Sequence, residues 1–281
     1  MTAPGELAGL ALEIARAAAQ LVRERAAEGV TVAATKSSEV DVVTEADRAS
    51  EALIRRLLRD RRPDDAVLGE EETESSGTTG VRWIVDPIDG TVNFLYGLPQ
   101  YAVSIAAEVR GEVVAGVVLN AATGTEYVAH LPDDPTAGGA VATRDGRAIG
   151  VRGPAPLSQR LVGTGFHYDA GLRGIQARAM VDLLPRVRDI RRLGSCALDL
   201  CAVADGLLDA YVEEGVNLWD HAAGGLVARA AGATTELTVG AGGRDIMVCA
   251  PSHGFAEFRE AVRHAGFLAA DSPIRGELSR E

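Results

Sequence analysis

Cysteine is scarce in this chain of 281 residues: it occurs only at Cys196, Cys201 and Cys249, and no two of these form a C-x-x-C pair. A chain of this length buries a core large enough to fold without disulfides. The N-terminal residues also lack the basic stretch and apolar run of a signal peptide. We therefore expect a reduced protein located in the cytoplasm.

Long apolar runs and an excess of positive charge are missing as well. The most apolar stretch, Tyr101 to Leu119, contains Glu108, Arg110 and Glu112, which argues against a membrane span. The formal net charge of -12 repels nucleic acid and anionic membranes. We therefore expect small molecules and cations as partners, with no nucleic acid and no membrane.

Apolar periodicity divides the chain into two lobes. Apolar residues recur at helical spacing from Glu6 to Ala27, and a second helix starts at Thr44, where Thr44-Glu45-Ala46-Asp47 forms a capping box. The first half is typical of an α+β lobe, whereas β-type runs and helical stretches alternate in the second half, as in an α/β lobe. The turn-rich segment Asp133 to Gly153 predicts the boundary, which gives lobes 1–150 and 151–281 in one compact unit.

The predicted elements are short and regularly spaced. The β-type runs are Ala66 to Leu68, Val81 to Val85, Tyr101 to Val109, Glu112 to Leu119, Leu161 to Thr164, Leu208 to Glu213, Thr234 to Thr238 and Ile246 to Ala250. The helical stretches of the second half are Ala177 to Leu184, Ala197 to Val203 and His221 to Ala231.

The densest chemical signal is the segment Asp86-Pro87-Ile88-Asp89-Gly90-Thr91. Two carboxylates three residues apart across a sharp turn can converge on one point, and oxygen ligands suit Mg²⁺ better than zinc. The Ile88 carbonyl can complete a coordination sphere. If Gly90 and Thr91 open a helix, their amides face an anion, so metal and phosphate sites would lie side by side.

Two further acidic segments accompany it: Glu70-Glu71-Glu72 ends a β-type run, and Asp220 lies in the first turn of a predicted helix. With these motifs in this order, the chain resembles the inositol monophosphatase family over nearly its whole length. The segments that carry the resemblance are Gly69-Glu70-Glu71, Asp86 to Thr91, Trp219-Asp220, and Lys36-Ser37-Ser38 with Asp41, Thr44 and Asp47.

The resemblance implies a Mg²⁺-dependent phosphomonoesterase acting on inositol monophosphate. By the family pattern, Glu70, Asp86 and the Ile88 carbonyl hold one Mg²⁺. Asp86, Asp89 and Asp220 hold a second, and a third is held more weakly near Glu70. This fits the chemistry, because the negative charge of a phosphate monoester repels a nucleophile until cations neutralise it.

The same resemblance assigns the catalytic and substrate-binding residues. Glu70, Thr91 and Asp47 are implied to be catalytic, with Thr91 and Asp47 orienting or deprotonating the attacking water. The phosphate is expected on the amides of Gly90 and Thr91. The implied contacts to the substrate also include Gly194, Ser195, Ala197, Glu213 and Asp220.

The fold implied by the resemblance is the layered αβαβα sandwich of the inositol monophosphatase and fructose-bisphosphatase type. Relatives of this kind are commonly homodimers, and the resemblance also implies inhibition by Li⁺ at a magnesium position.

Several of these residues have simpler explanations. Asp47 and Asp220 each follow a candidate N-cap by three residues, so each can be part of a capping box. The run Glu70 to Glu72 can be a solvated acidic loop, and Glu213 can be a polar residue at a strand end. His221 is adjacent to Asp220, but the helical step turns its side chain away by about 100°.

Two competing functions remain open. The same metal chemistry serves histidinol phosphate, fructose 1,6-bisphosphate or a 3′-phosphoadenosine nucleotide in relatives, although Glu213 favours a polyol. A regulatory protein that retains the phosphatase fold and acts through a protein partner is the alternative of another class. The presence of every proposed ligand argues against an inactive enzyme.

Overall fold

The computed structural model describes residues 2–29, 32–35, 42–134, 136 and 138–269. These residues form seven α-helices and fourteen strands. The helices are α1 (Pro4–Glu28), α2 (Glu45–Arg61), α3 (Thr91–Tyr96), α4 (Ala170–Leu183), α5 (Cys196–Ala204), α6 (Leu218–Ala230) and α7 (Phe255–His264). The strands are β1 (Val32–Thr35), β2 (Val42–Thr44), β3 (Ala66–Gly69), β4 (Val81–Asp89), β5 (Ala102–Val109), β6 (Glu112–Asn120), β7 (Glu126–His130), β8 (Val141–Arg144), β9 (Arg147–Ala148), β10 (Leu161–Thr164), β11 (Asp189–Arg191), β12 (Ala210–Glu214), β13 (Ala233–Val239) and β14 (Asp245–Pro251).

The strands belong to two large sheets and one small hairpin. The larger sheet has seven strands in the order β3-β4-β5-β6-β7-β8-β9, and the second has five in the order β11-β10-β12-β14-β13. The larger sheet is antiparallel except for the parallel pair of β3 and β4. In the second sheet β10 is parallel to both β11 and β12, and the remaining pairs are antiparallel.

Successive side chains of β4 are buried on opposite faces of the larger sheet. Trp83 and Val85 belong to a core shared with α1 and α2, whereas Ile84 points to the opposite face and belongs to a core shared with α5 and α6. The same alternation holds in β12, where Tyr211 packs with α5 and α6 and Val212 packs with α4 and α7. A strand covered on both faces has apolar side chains on both, as Trp83, Ile84 and Val85 of β4 show.

Four cores therefore join five layers: α1 with α2, the seven-stranded sheet, α5 with α6, the five-stranded sheet, and α4 with α7. This mixed α/β sandwich confirms the expected αβαβα layering. The two large sheets occupy 66–148 and 161–251, and the division into lobes 1–150 and 151–281 stays a prediction.

Small residues allow α6 to lie in the middle layer. A Cβ atom on Gly116 would stand 2.9 Å from the Cα of Ala223 in α6. A Cβ atom on Gly224 would stand 2.9 Å from the carbonyl oxygen of Ala197 in α5. Because neither glycine has a side chain, α6 packs tightly between α5 and the sheet, and this close packing fixes the start of α6, which carries Asp220.

Most predicted elements are confirmed with shifted ends. The capping box at Thr44 precedes α2 as expected, and the predicted helix at Ala177 begins earlier, at Ala170, where the Asp169 side chain accepts a hydrogen bond from Leu172 N. The prediction missed β1, β2, β7, β8, β9, β11 and α7. Within the described part of the chain, no helix has the length and apolar character that crossing a membrane requires.

Candidate active site

One cavity of about 230 Å³ gathers most of the residues that the sequence analysis selected. It lies where the ends of β3, β4, β10 and β12 meet the starts of α3, α5 and α6. The residues that line it are Glu70, Asp86, Ile88, Asp89, Gly90, Thr91, Phe166, His167, Tyr168, Arg192, Gly194, Cys196, Glu213, Glu214, Gly215, Asn217, Trp219 and Asp220.

The parallel pairing of β3 and β4 brings Glu70 beside Asp86. Gly69, the last residue of β3, is in register with Val85, so Glu70 follows β3 at the level of Asp86 in β4. Glu70 and Asp86, separated in sequence by a loop, thus line one wall of the cavity.

A bulge in β4 explains how Asp86 and Asp89 reach the same cavity. Asp86 pairs with Ser104 and Asp89 with Ala102, so three steps along β4 match only two along β5. In a regular strand, residues an odd number apart point to opposite faces. The extra residue re-aims the second carboxylate, which is the usual consequence of a bulge.

The Thr91 hydroxyl connects Asp47 with the Ile88 carbonyl. Its Oγ1 lies 3.0 Å from Asp47 Oδ1 and 3.1 Å from Ile88 O, and its single proton can be donated to only one of them at a time. Asp47 also accepts a hydrogen bond from Thr44 N at 2.9 Å through Oδ2, and one from the Thr44 hydroxyl. The capping role of Asp47 is therefore real, and it leaves Oδ1 for Thr91.

Asp89 connects the end of β4 with the start of α5. Its Oδ2 accepts hydrogen bonds from Ser195 Oγ at 2.6 Å and from Ala197 N at 2.7 Å. The amide of Ala197 belongs to the first turn of α5, where helix amides have no intrahelical partner. Ser195 and Ala197 were predicted to contact the substrate, and in this structure they hold Asp89.

Asp220 likewise makes a capping hydrogen bond and lines the cavity. Its Oδ2 accepts a hydrogen bond from Asn217 N at 2.6 Å, as in a capping box, and the same side chain lines the cavity. The structure thus shows the capping interaction for both residues. Asp220 lines the cavity, whereas Asp47 does not line it and contacts it through the hydrogen bond with Thr91.

Burial and mutual repulsion perturb the acidic groups. Burial raises the pKa of Asp86 well above its ordinary value, and the carboxylates of Glu70, Asp89 and Asp220 raise it further. Burial likewise raises the pKa of Asp89 to about 7, against the hydrogen bonds from Ser195 and Ala197. Burial first, and Glu70 and Asp89 second, raise the pKa of Asp220 well above its ordinary range.

This donor set fits a hard divalent cation. It consists of four carboxylates and one carbonyl, all oxygen donors, and the repulsion recorded in the pKa values of the three aspartates is what a bound cation would relieve. Among the described residues, however, no three acidic, His or Cys side chains converge in an arrangement that holds a metal. Hydrogen bonds take one oxygen of Asp89 and one of Asp220.

The second sheet supplies the opposite wall. Tyr211 OH donates a hydrogen bond of 2.7 Å to Glu213 Oε2, and burial raises the pKa of Glu213. A Cβ atom on Gly165 would stand only 1.9 Å from the Glu213 carboxyl group, so the loop after β10 lies directly against it. Glu213 therefore lines the cavity in a fixed orientation, and its contact with a substrate stays a prediction.

The cavity is also lined by residues that were not predicted from the sequence, among them Phe166, His167, Tyr168 and Arg192. The first three follow β10, which runs parallel to its neighbour β12, and ligands of α/β sheets commonly bind at the carboxyl ends of such strands. The segment after the run Leu161 to Thr164 was therefore a usable signal. Arg192 had none, because its place depends on the path of the chain before α5.

Some residues considered in the sequence analysis do not line the cavity or lie outside the described residues. Lys36, Ser37, Ser38 and Asp41 fall outside the described residues. His221 lies on α6 next to Asp220 and is not among the residues that line the cavity; burial lowers its pKa to about 4.

Comparison with known proteins gives one consistent family. The sequence profile of the inositol monophosphatase family matches residues 4–263. The inositol-1-monophosphatase of Mycobacterium bovis is 43% identical over 275 residues, which cover 90% of this chain and 92% of that protein. A protein called Nus factor SuhB, from Pasteurella multocida, is 36% identical over 225 residues, covering 79% of this chain and 82% of its own length.

Solved structures agree with the sequence comparison. The structure of Mycobacterium tuberculosis SuhB superposes with a TM-score of 0.80 at 41% identity, covering 96% of this chain and all of that one. The similarity therefore spans both sheets and every wall of the cavity.

Proposed function

This chain belongs to the inositol monophosphatase family and is a phosphoric monoester hydrolase, and from that premise we propose that it is a Mg²⁺-dependent phosphatase converting inositol monophosphate to inositol and phosphate. The observation that carries the proposal is that Glu70, Asp86, Asp89 and Asp220 line one cavity beside the start of α3. Names of relatives, among them inositol-1-monophosphatase, support the substrate.

The proposed metal ligands follow from the donor set. Glu70, Asp86 and the Ile88 carbonyl would hold one Mg²⁺, Asp86, Asp89 and Asp220 a second, and a third would be held weakly near Glu70. When bound, such ions neutralise the phosphate and lower the pKa of a water molecule.

The proposed role of Thr91 and Asp47 is to handle the proton of the attacking water. If a cation occupies the Ile88 carbonyl, the Thr91 hydroxyl donates to Asp47 Oδ1, at 3.0 Å, and its oxygen lone pairs can accept from water. Burial raises the pKa of Asp47, which makes its carboxylate a better proton acceptor. Both residues would thus orient the water by hydrogen bonds.

The phosphate would lie on the first amides of α3. Gly90, the N-cap residue of α3, has φ 97°, and the first intrahelical bond runs from Phe94 N to Gly90 O. The amides of Gly90 and Thr91 precede that bond, so they suit an anion.

The polyol would be recognised by the wall from the second sheet. Glu213 is fixed by Tyr211 OH and can accept hydrogen bonds from ring hydroxyls. Gly194 lines the same cavity; its carbonyl oxygen accepts a hydrogen bond from Asn93 Nδ2 at 3.3 Å, and its φ of 89° favours a glycine. A buried acceptor that reads a hydroxyl discriminates strongly against a ligand without one.

A phosphate-release panel tests the substrate. The panel contains D- and L-inositol 1-phosphate, histidinol phosphate, fructose 1,6-bisphosphate and a 3′-phosphoadenosine nucleotide, each assayed with Mg²⁺. The proposal expects the highest kcat/KM for an inositol phosphate. A clear preference for histidinol phosphate or a nucleotide would contradict the substrate while leaving the metal chemistry intact.

A second candidate function is regulation through a protein partner, which one observation favours: relatives include proteins called Nus factor SuhB. An Asp86→Asn variant separates the two functions. Loss of the cellular function together with phosphatase activity supports the enzyme, whereas a normal cellular function without phosphatase activity supports the regulatory role.

Three other properties belong to the proposal. We expect inhibition by Li⁺ at a magnesium position, a homodimer, and a cytoplasmic location. The Li⁺ prediction is checked in the same assay, where full activity at high lithium concentration would count against a family-type site.

A further inference from the structure

A fully buried carboxylate lies behind the active site without lining it. Glu51 on α2 has no exposed surface, and both of its oxygens accept hydrogen bonds from the chain just after Glu70. Oε2 accepts from Glu71 N at 2.7 Å, and Oε1 accepts from Glu72 N at 3.0 Å. One side chain thus fixes two consecutive amides next to a proposed metal ligand.

Arg55, one turn further along α2, completes the anchor. Its Nε donates to Glu51 Oε1 at 2.7 Å, and its Nη2 donates to Glu72 O at 3.0 Å. Its Nη1 reaches Val67 O at 3.4 Å, which lies in β3 before Glu70. The pair therefore holds the backbone on both sides of Glu70.

Gly69 shows how closely this loop lies against α2. A Cβ atom at Gly69 would stand 2.2 Å from Glu51 Oε1, a distance that real Cβ atoms do not adopt. Any side chain at this position would push the loop away from the carboxylate. The close approach is independent of the hydrogen bonds and supports the same arrangement.

Stability alone is a poor explanation for a buried ion pair. Removing Glu51 and Arg55 from water costs free energy that their attraction only partly returns, and apolar residues of similar volume often do as well. Here the hydrogen bonds beyond the pair itself all reach β3 or the loop that follows it. That loop has a special need for support, because β3 is the edge strand of its sheet and Glu70 faces the repulsion of Asp86.

We propose that Glu51 and Arg55 are positioning residues that hold Glu70 in the acidic cavity for divalent-cation binding. The inference rests on the proposed function, because it takes Glu70 to be a metal ligand. Glu51 and Arg55 do not line the cavity, so they act through the backbone of residues 67–72. Their loss should weaken the affinity for Mg²⁺ more than it slows the saturated enzyme.

The test compares Glu51→Gln with wild type. Glutamine has the same size as glutamate, but an NH2 group replaces one of the two acceptor oxygens. Because an NH2 group cannot accept a hydrogen bond from a backbone N–H, the variant cannot bond the Glu71 and Glu72 amides with two separate oxygens. We expect the Kd for Mg²⁺, measured by calorimetry, to rise by about 10-fold, the scale of changes that follow loss of a residue supporting a ligand. Hydrogen exchange should show faster exchange at the amides of Glu71 and Glu72, while kcat at saturating Mg²⁺ changes only a few-fold.

Glu236→Gln is the matched control. Glu236 also forms a partly buried pair with an arginine, accepting from Arg259 Nε at 2.6 Å and Nη2 at 2.9 Å, and it lies outside the set of residues that line the cavity. It should lower the Tm without changing the Kd for Mg²⁺. If Glu51→Gln fails to fold, Arg55→Lys is the second variant. It keeps the positive charge but removes the guanidinium nitrogens that donate to Val67 O and Glu72 O, so it should also raise the Kd for Mg²⁺.

The outcomes separate the two proposals. If wild type binds Mg²⁺ and the folded Glu51 or Arg55 variant binds it equally well, the positioning role is wrong and the proposed function stands. If wild type binds no Mg²⁺, the proposed function is wrong and this inference falls with it. A raised Kd together with faster exchange at Glu71 and Glu72, absent from Glu236→Gln, supports the inference.

Discussion

Two carboxylates at this site make helix-capping hydrogen bonds and also have a second position or partner at the cavity. Asp47 uses Oδ2 to cap α2 and Oδ1 to accept from Thr91, and Asp220 caps α6 while lining the cavity. A carboxylate has several lone pairs, so a capping bond leaves room for a second partner. The capping signals in the sequence and the proposed function are therefore compatible.

The first prediction concerns Asp89. Asp89→Asn removes the charge while keeping the size, so it should reduce kcat for phosphate release by roughly 100-fold or more, as loss of one preorganised charged group does. Asp60→Asn, at an exposed position on α2, is the control and should retain activity. Wild-type rates from Asp89→Asn would contradict its assignment as a metal ligand.

The second prediction concerns pH. The pKa of Asp89 is raised from 3.8 to about 7, mainly by burial. Between these two pH values, the folded protein without bound Mg²⁺ therefore keeps a proton on Asp89 that the unfolded chain releases. Its contribution to stability is complete below pH 3.8 and is lost as pH rises through about 7. With a chelator, the Tm should therefore be lower at about pH 8 than at about pH 6, by roughly 2–4 °C per kcal/mol lost.

Mg²⁺ should reverse this dependence, because it binds the ionised carboxylates. Thermal denaturation with and without Mg²⁺ at both pH values checks the prediction, and Asp89→Asn should show a weaker pH dependence. The same pH dependence with and without Mg²⁺ would mean that these carboxylates do not bind the ion.

At the scale of elements, β4 and α3 decide where the site forms. The bulge in β4 turns two aspartates toward one cavity, and the left-handed Gly90 then starts α3 at once. In a regular strand, the Asp86 and Asp89 carboxylates would point to opposite faces of the sheet. With a longer loop after β4, the first amides of α3 would lie farther from these carboxylates.

The third prediction tests this turn. At Gly90 a Cβ atom would stand 2.8 Å from Gln100 O and 3.1 Å from Gly194 O, in addition to the cost of φ 97°. Gly97 has φ 70° but open space around it, so Gly97→Ala carries only the backbone cost of roughly 1–2 kcal/mol. Gly90→Ala should lose more stability in denaturant unfolding and most of its activity; equal losses would show that the close contact is unimportant.

The sequence was informative about some elements and silent about others for physical reasons. The Thr44 capping box and the β4 motif were recognised because each depends on neighbouring residues. The short strands β8, β9 and β11 have two to four residues and no strong alternation, so no local pattern predicts them. Arg192 and the Glu51 anchor depend on contacts between distant segments, which a single sequence does not reveal.

At the scale of the whole molecule, the layered sandwich brings together charges that would otherwise separate. The chain has a formal net charge of -12, and part of that charge is concentrated in one cavity between two sheets. Burying like charges costs free energy, which a bound divalent cation would offset. Mg²⁺ should therefore stabilise the fold as well as support the reaction.

The fourth prediction concerns this stabilisation. Saturating Mg²⁺ should raise the Tm of wild type, by an amount that grows with the logarithm of its concentration above the Kd. Asp86→Asn should lose most of that shift. A Tm shift that is the same in both proteins would place the bound Mg²⁺ outside the cavity.

The most direct test of the account is phosphate release from inositol 1-phosphate by metal-stripped protein during a titration with Mg²⁺. Four carboxylates around a cation imply no turnover in chelator and a saturable rise in rate as Mg²⁺ is added. Undiminished turnover in chelator, or none at any Mg²⁺ concentration, would contradict the account.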